Sequence, residues 1–115
     1  MPLTAALTKH LKVKDLIPAA TLIDGQWVDR SDSGKTFEVH NPATGELLAT
    51  LPDMGVSETK RAIAAAGAAQ AAWAKKTGKA RAAVLRRMFD LMMAHQDDLA
   101  AIMTAEQGKP LAEAK

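Results

Sequence analysis

No cysteine and no tyrosine occur among the 115 residues of this chain. The missing cysteine excludes a disulfide framework, a thiolate-bound zinc site and a thiol nucleophile within the segment. It fits a reducing compartment. Aromatic residues make up only 3% of the sequence, against 48% hydrophobic residues overall. Much of that apolar content is alanine, which fills little volume, so the chain can build only a modest core. An excess of one charge is also lacking: 15 basic and 13 acidic residues leave +2, with both signs interspersed. A nucleic-acid binder gathers a larger basic excess on one face and interleaves it with stacking aromatics. No apolar run approaches the ~18 residues needed to span a bilayer. The stretch from Met1 to Lys14 has no acidic residue and carries Lys9, His10, Lys12 and Lys14. A mitochondrial presequence also lacks acids, but it is rich in arginine and serine, which are both absent here. The expectation is a disordered or loosely docked terminus.

What the sequence does have is a long periodic run near its end. Val84, Leu85, Met88, Leu91, Met92, His95, Leu99, Ile102 and Met103 recur at steps of three and four. That spacing places them on one face of a helix, or of two helices in sequence. The pattern predicts a helix over Lys79–Gln107 with a kink near His95. Gly108 stands where a helix stops in the left-handed conformation. Pro110 suits the first turn of a further helix, where its missing N–H is no loss. Leu111 to Lys115 are helix formers with no stop signal, so the expectation is the front part of a longer protein. Upstream, a helix is predicted over Ser57–Lys75. Ser57 is its expected N-cap, Glu58 suits the dipole, and Lys60 at N3 denies a capping box. Its face of Ala62, Ile63, Ala66, Ala69 and Trp73 invites close approach by another element. Thr77 is the expected cap of the next helix.

The first half reads as extended chain. Leu11–Ile17 is expected to make one or two helical turns before Pro18. Thr21–Ile23 and Gln26–Val28 flank Asp24-Gly25, a strong signal for a two-residue hairpin turn. Thr36–His40 and Glu46–Leu51 flank the proline–glycine turn Asn41–Gly45. An isolated hairpin is marginal in water, so both must pack on something else. The predicted segment is therefore α+β, two β-hairpins followed by two or three helices, with an arm over residues 1–20 and a body over 21–115.

Site chemistry is sparse. His10, His40 and His95 lie in separate segments without ligand spacing, and His95 is expected as a partly buried helix residue. Asp97 and Asp98 are adjacent, so on a helix they point about 100° apart and do not converge. Asp97 is expected on a solvated face, and Asp98 is left open. Met88, Met92, Met93 and Met103 are expected as core fillers, with a Met-rich groove as the other reading. Gly108-Lys109 lacks the upstream glycine and the Ser/Thr of a phosphate loop, and no G-x-G-x-x-G occurs. On local chemistry, no catalytic, cofactor-binding or metal residue is assigned.

In combination, several words of the sequence point to a family. Leu22-Ile23-Asp24-Gly25-Gln26-Trp27-Val28 precedes Val39-His40-Asn41-Pro42-Ala43-Thr44-Gly45-Glu46. An alanine-rich helix ending at Trp73 follows, then Arg81 opening a long helix, then Glu106-Gln107-Gly108-Lys109-Pro110-Leu111. In this order they resemble the N-terminal quarter of an NAD(P)-dependent aldehyde dehydrogenase. Asp90–Lys115 is similar to the succinate-semialdehyde branch, and glutarate-semialdehyde enzymes look much alike here. The resemblance implies an α/β parent enzyme in which 21–115 is the incomplete N-terminal part of the cofactor-binding domain. It implies NADP or NAD as acceptor, a semialdehyde substrate, a cysteine thiolate nucleophile and a glutamate-activated water. It also implies a cytoplasmic homo-oligomer whose first partner for this segment is the remainder of its own chain, with no nucleic acid and no membrane. None of the catalytic groups carries over, and Glu106 matches a position other than the general base. Some members hold an alkali cation on backbone carbonyls near positions matching His40 and Glu106. Carbonyl ligation leaves no mark in sequence, so no ligand is assigned. The competing reading is a free-standing α+β interaction module, whose mark would be a surfaced apolar stripe.

Overall fold

The computed structural model describes Leu3–Lys115. Two separate two-stranded antiparallel sheets precede the long helices. In the first, β1 (Thr21–Ile23) pairs with β2 (Gln26–Val28), Leu22 opposite Trp27. Asp24 and Gly25 both take positive φ, at 50° and 71°, as a two-residue primed turn requires. In the second, β3 (Thr36–His40) pairs with β4 (Leu47–Pro52). The Asn41 side chain accepts from the Ala43 N–H at 2.8 Å, and the Gly45 N–H closes the turn on the Asn41 carbonyl at 2.8 Å. Both hairpins thus lie where turn chemistry placed them.

A register shift follows Val39: Val39 faces Ala49, but His40 faces Leu47. The extra residue is Leu48. The bulge breaks the alternation of β4, so that Leu48 and Ala49 are both buried. Leu48 anchors the main core with Leu7, Leu11, Ile102 and Ala105.

Two of those residues come from the arm, which corrects the expectation of a loose terminus. Leu3 bridges Ala49, and α1 (Ala5–Thr8) lies against β4 with Leu7 buried. The expected helical turns at Leu11–Ile17 are absent, and the stretch bends instead. Its Lys12 and Val13 N–H groups donate to the Asp98 carboxylate rather than to helical carbonyls. Met1, at the start of the expected arm, lies outside the described residues.

Helix α2 (Val56–Lys75) begins one residue before the expected N-cap Ser57. Gly55 is the cap, and Glu58 at N3 accepts the Gly55 N–H at 2.9 Å. This is the reciprocal half of a capping box, which the sequence reading had denied. Ser57 instead donates its hydroxyl to Asp32 at 2.7 Å. Thr77 caps α3 (Gly78–Ala94) as expected, accepting from the Ala80 N–H at 3.1 Å. The kink expected near His95 is a full break: its φ of −110° and ψ of 18° end α3 and begin α4 (Gln96–Gln107), the two-helix form of the pattern. Gly108 closes α4 in the left-handed region at φ 81°, and α5 (Leu111–Ala114) follows Pro110.

Helix α3 buries none of its residues. Leu85, Met88, Leu91 and Met92 are 43–58% exposed, so the expectation of core methionines is corrected there. The physical reason is an absence of neighbours: α3 projects from the body. The radius of gyration is 16.7 Å, where a compact chain of this length has about 13 Å. The accessible surface is 8022 Å², where a folded monomer of this mass exposes about 6,100 Å². The excess of about 1,900 Å² is more than twice the ~800 Å² that one partner contributes to a standard protein interface.

Candidate functional site

Each polar cluster is explained by the elements that meet there. Glu58 lies in the first turn of α2 and is buried. It takes the Asp32 and Gly55 N–H groups, and the Ser57 hydroxyl, donated chiefly to Asp32, lies 3.0 Å from it. These donors, the Asp32 N–H foremost, hold its carboxyl below the usual range. Asp32 receives two bonds from the Arg61 guanidinium, at 2.7 and 3.2 Å, and one from Ser57. The Arg61 bonds foremost, then Ser57, lower its pKa to about 2. The cluster ties the β2–β3 loop to the start of α2.

A second cluster sits at the start of α4. Asp98 is 3% exposed. Its oxygens accept from Lys12 N–H at 2.8 Å and Val13 N–H at 2.9 Å, and these bonds lower its pKa. Asp97 points outward between Lys12 Nζ at 2.8 Å and Lys115 Nζ at 2.9 Å, which hold it at about 2. The two side chains diverge, as helical geometry required. Asp98, left open by the sequence, is the buried one, and Asp97 is exposed as expected. Carboxylates saturated by donors in this way stay ionised and are poor proton acceptors.

The histidines stay apart. His40 on β3 meets Glu38 at 2.9 Å and the Gly45 carbonyl at 3.2 Å, and its pKa is raised, by Glu38 foremost. His95 is half-buried at the α3–α4 break, as expected. His10 lines a cavity of about 470 Å³ together with Asn41, Asp97, Thr104, Leu111 and Lys115. The Thr104 hydroxyl is buried there without a partner. Among the described residues, no hydroxyl is hydrogen-bonded to an imidazole, and no group of three His, Asp or Glu side chains converges on a metal position. Glu106 lies in a shallow depression with Val39, Met103, Gln107 and Lys109, without a second carboxylate.

The geometry offers an unpartnered surface instead. Val84, Leu85, Met88, Leu91 and Met92 share one stripe of α3 and stand exposed. On α2, Ile63 and most of the alanine face are exposed too. The sequence signalled these stripes but not their lack of cover.

Comparison with known proteins agrees with this picture of a part. The sequence model of the aldehyde dehydrogenase family matches residues 27–115. A glutarate-semialdehyde dehydrogenase of Pseudomonas aeruginosa is 56% identical over 106 residues, covering 92% of this chain and 22% of that protein. The succinate-semialdehyde dehydrogenase (NADP(+)) of Escherichia coli is 51% identical over 105 residues, covering 91% of this chain and 22% of that protein. A crystal structure of an E. coli NADP-dependent enzyme superposes with a TM-score of 0.86 at 51% identity, covering 90% of this chain and 21% of the other. The chain therefore spans about a fifth of the length of the relatives it matches.

Proposed function

This chain belongs to the aldehyde dehydrogenase family, and we propose that it forms the N-terminal scaffold of an enzyme that oxidises a semialdehyde to the dicarboxylate with NAD(P)+. The observation that carries the scaffold reading is the bare apolar stripe of α3 beside a match confined to 22% of the relatives' length. In this reading the arm is 1–20, and 21–115 is the first part of the cofactor-binding domain. The catalytic thiol, the general base and the cofactor turn all belong to the remainder of the enzyme, so the segment alone is inactive.

The segment's own residues do not fit a dinucleotide. Its strand-to-helix turn, from β4 into α2, carries no glycine-rich fingerprint, and buried Glu58 already occupies the Gly55 N–H at that helix start. A carboxylate there repels a pyrophosphate. No step of the reaction is therefore derived through these residues. NADP is the first choice of acceptor on the resemblance, and NAD is the second.

Succinate semialdehyde is the first substrate choice, on the likeness of Asp90–Lys115 to that branch. Glutarate semialdehyde is the second reading, favoured by the 56% identity to the P. aeruginosa enzyme. A cytoplasmic homo-oligomer is part of the same proposal. The test is a panel of aldehydes on the intact enzyme, compared by kcat/KM with NADP and NAD, because that ratio measures discrimination between competing substrates. The expected result is highest kcat/KM for succinate semialdehyde and no turnover by residues 1–115 alone. A preference for an uncharged aldehyde would overturn the substrate class, and turnover by the isolated segment would overturn the scaffold reading.

A further inference from the structure

Residues 3–17 cross the groove between β4 and α4 and are fastened at both ends. At the first end, the Thr4 N–H donates to the Leu48 carbonyl at 2.9 Å. The Thr4 hydroxyl lies 2.7 Å from the Leu47 carbonyl and 2.9 Å from that of Leu48. In the middle, Leu7 and Leu11, one helical turn apart, fill the gap between Leu48, Ile102 and Ala105. Further along, Lys12 and Val13 sit in a bend and their N–H groups reach the two oxygens of buried Asp98, and beyond them Leu16 and Ile17 pack partly buried against the same core. The β3–β4 ladder and the α4 hydrogen bonds close among their own residues, and the strap adds to β4 the Leu3–Ala49 bridge and the Thr4 contacts with the Leu47 and Leu48 carbonyls.

We propose that residues 3–17 form a strap that docks and releases as one unit, and that the Asp98 carboxylate is the clip holding it down. Asp98 is suited to this because it supplies one acceptor oxygen to each of two N–H groups that have no other partner among the described residues. Release would bare the apolar groove of Leu48, Ile102 and Ala105. The strap's outer side carries Lys9, Lys12 and Lys14, all exposed. Docking therefore shields three tryptic sites by holding their backbone rather than by covering their side chains.

The experiment compares Asp98→Asn with the unaltered sequence in the intact protein. Asparagine keeps the size but turns one acceptor into an N–H donor facing another donor. The readouts are amide hydrogen exchange at Lys12 and Val13 and tryptic cleavage after Lys9, Lys12 and Lys14. Cleavage after Lys75 and Lys76, between α2 and α3, reports wider unfolding. Both strap readouts should rise at least about tenfold, with Lys75 and Lys76 unchanged, because local opening follows its own free energy. Unchanged strap readouts would overturn the role of Asp98. A parallel rise at Lys75 and Lys76 would overturn the separate strap. Thr4→Val, at the opposite fastening, provides the second arm, which also serves if Asp98→Asn fails to fold. It should speed exchange at Lys12 and Val13 too, and acceleration confined to the neighbourhood of residue 4 would contradict release as a unit.

Discussion

Met88→Ala probes the missing cover on α3 most sharply, because its cost depends on what lies over the helix. Met88 is 53% exposed in the segment. With water on one side, truncation loses only part of a side chain's burial and leaves no sealed cavity, a cost below about 1 kcal/mol. Under a packed surface the same change loses the full transfer energy plus a cavity term, about 2–5 kcal/mol. The account therefore predicts an additional loss of at least about 1 kcal/mol in the intact enzyme. Arg87→Ala, about 100° round the same helix from Met88 and outside the apolar stripe, is the control and should stay within about 0.5 kcal/mol. The assay is the apparent Tm of the three intact proteins at one concentration and scan rate, since large enzymes unfold irreversibly. Met88→Ala should fall by several degrees while Arg87→Ala matches the parent. Equal Tm values for the two variants would refute the claim that the stripe is covered.

Gly108→Ala should cost about 1–2 kcal/mol, because φ is 81° and a left-handed alanine is strained. The added Cβ would also meet the Pro42 ring at 3.3 Å, and the loss is read as a lower apparent Tm. Acid should weaken the fold through Asp32 and Asp97, both held at about 2 against an ordinary value of 3.8. A carboxylate depressed on folding contributes stability that is present above its unfolded pKa and lost as pH falls through its folded one. Urea midpoints should therefore be flat in these groups above about pH 5 and decline between about pH 4 and 2, and the double change Asp32→Asn with Asp97→Asn should flatten that decline.

What was legible in the sequence was local chemistry. Asp24-Gly25 and Asn41–Gly45 announce their turns because glycine, asparagine and proline act within a few residues. Thr77 and Gly108 mark helix ends for the same reason. The start of α2 was misplaced because Ser57 is the better cap by residue type, whereas the tertiary bond from Ser57 to Asp32 recruited its hydroxyl and left Gly55 to cap. The stripe of α3 was readable as apolar, but periodicity tells which side is apolar and not what lies against it. The arm was misjudged on its lysines, although Leu7 and Leu11 stand at i and i+4 and were the available signal for docking. Asp98 could be seen to diverge from Asp97, but its N–H donors lie 85 and 86 residues away, beyond any local pattern.

The central claim is that residues 1–115 are a scaffold that needs the surface of a larger enzyme. The direct measurement is a thermal melt of the isolated segment, followed by circular dichroism, with its mass determined by sedimentation at the same concentration. The account predicts a broad, weakly cooperative transition or self-association, because about 1,900 Å² more surface is exposed than a folded monomer of this size shows. A soluble monomer with a sharp cooperative melt would contradict it and favour a free-standing interaction module.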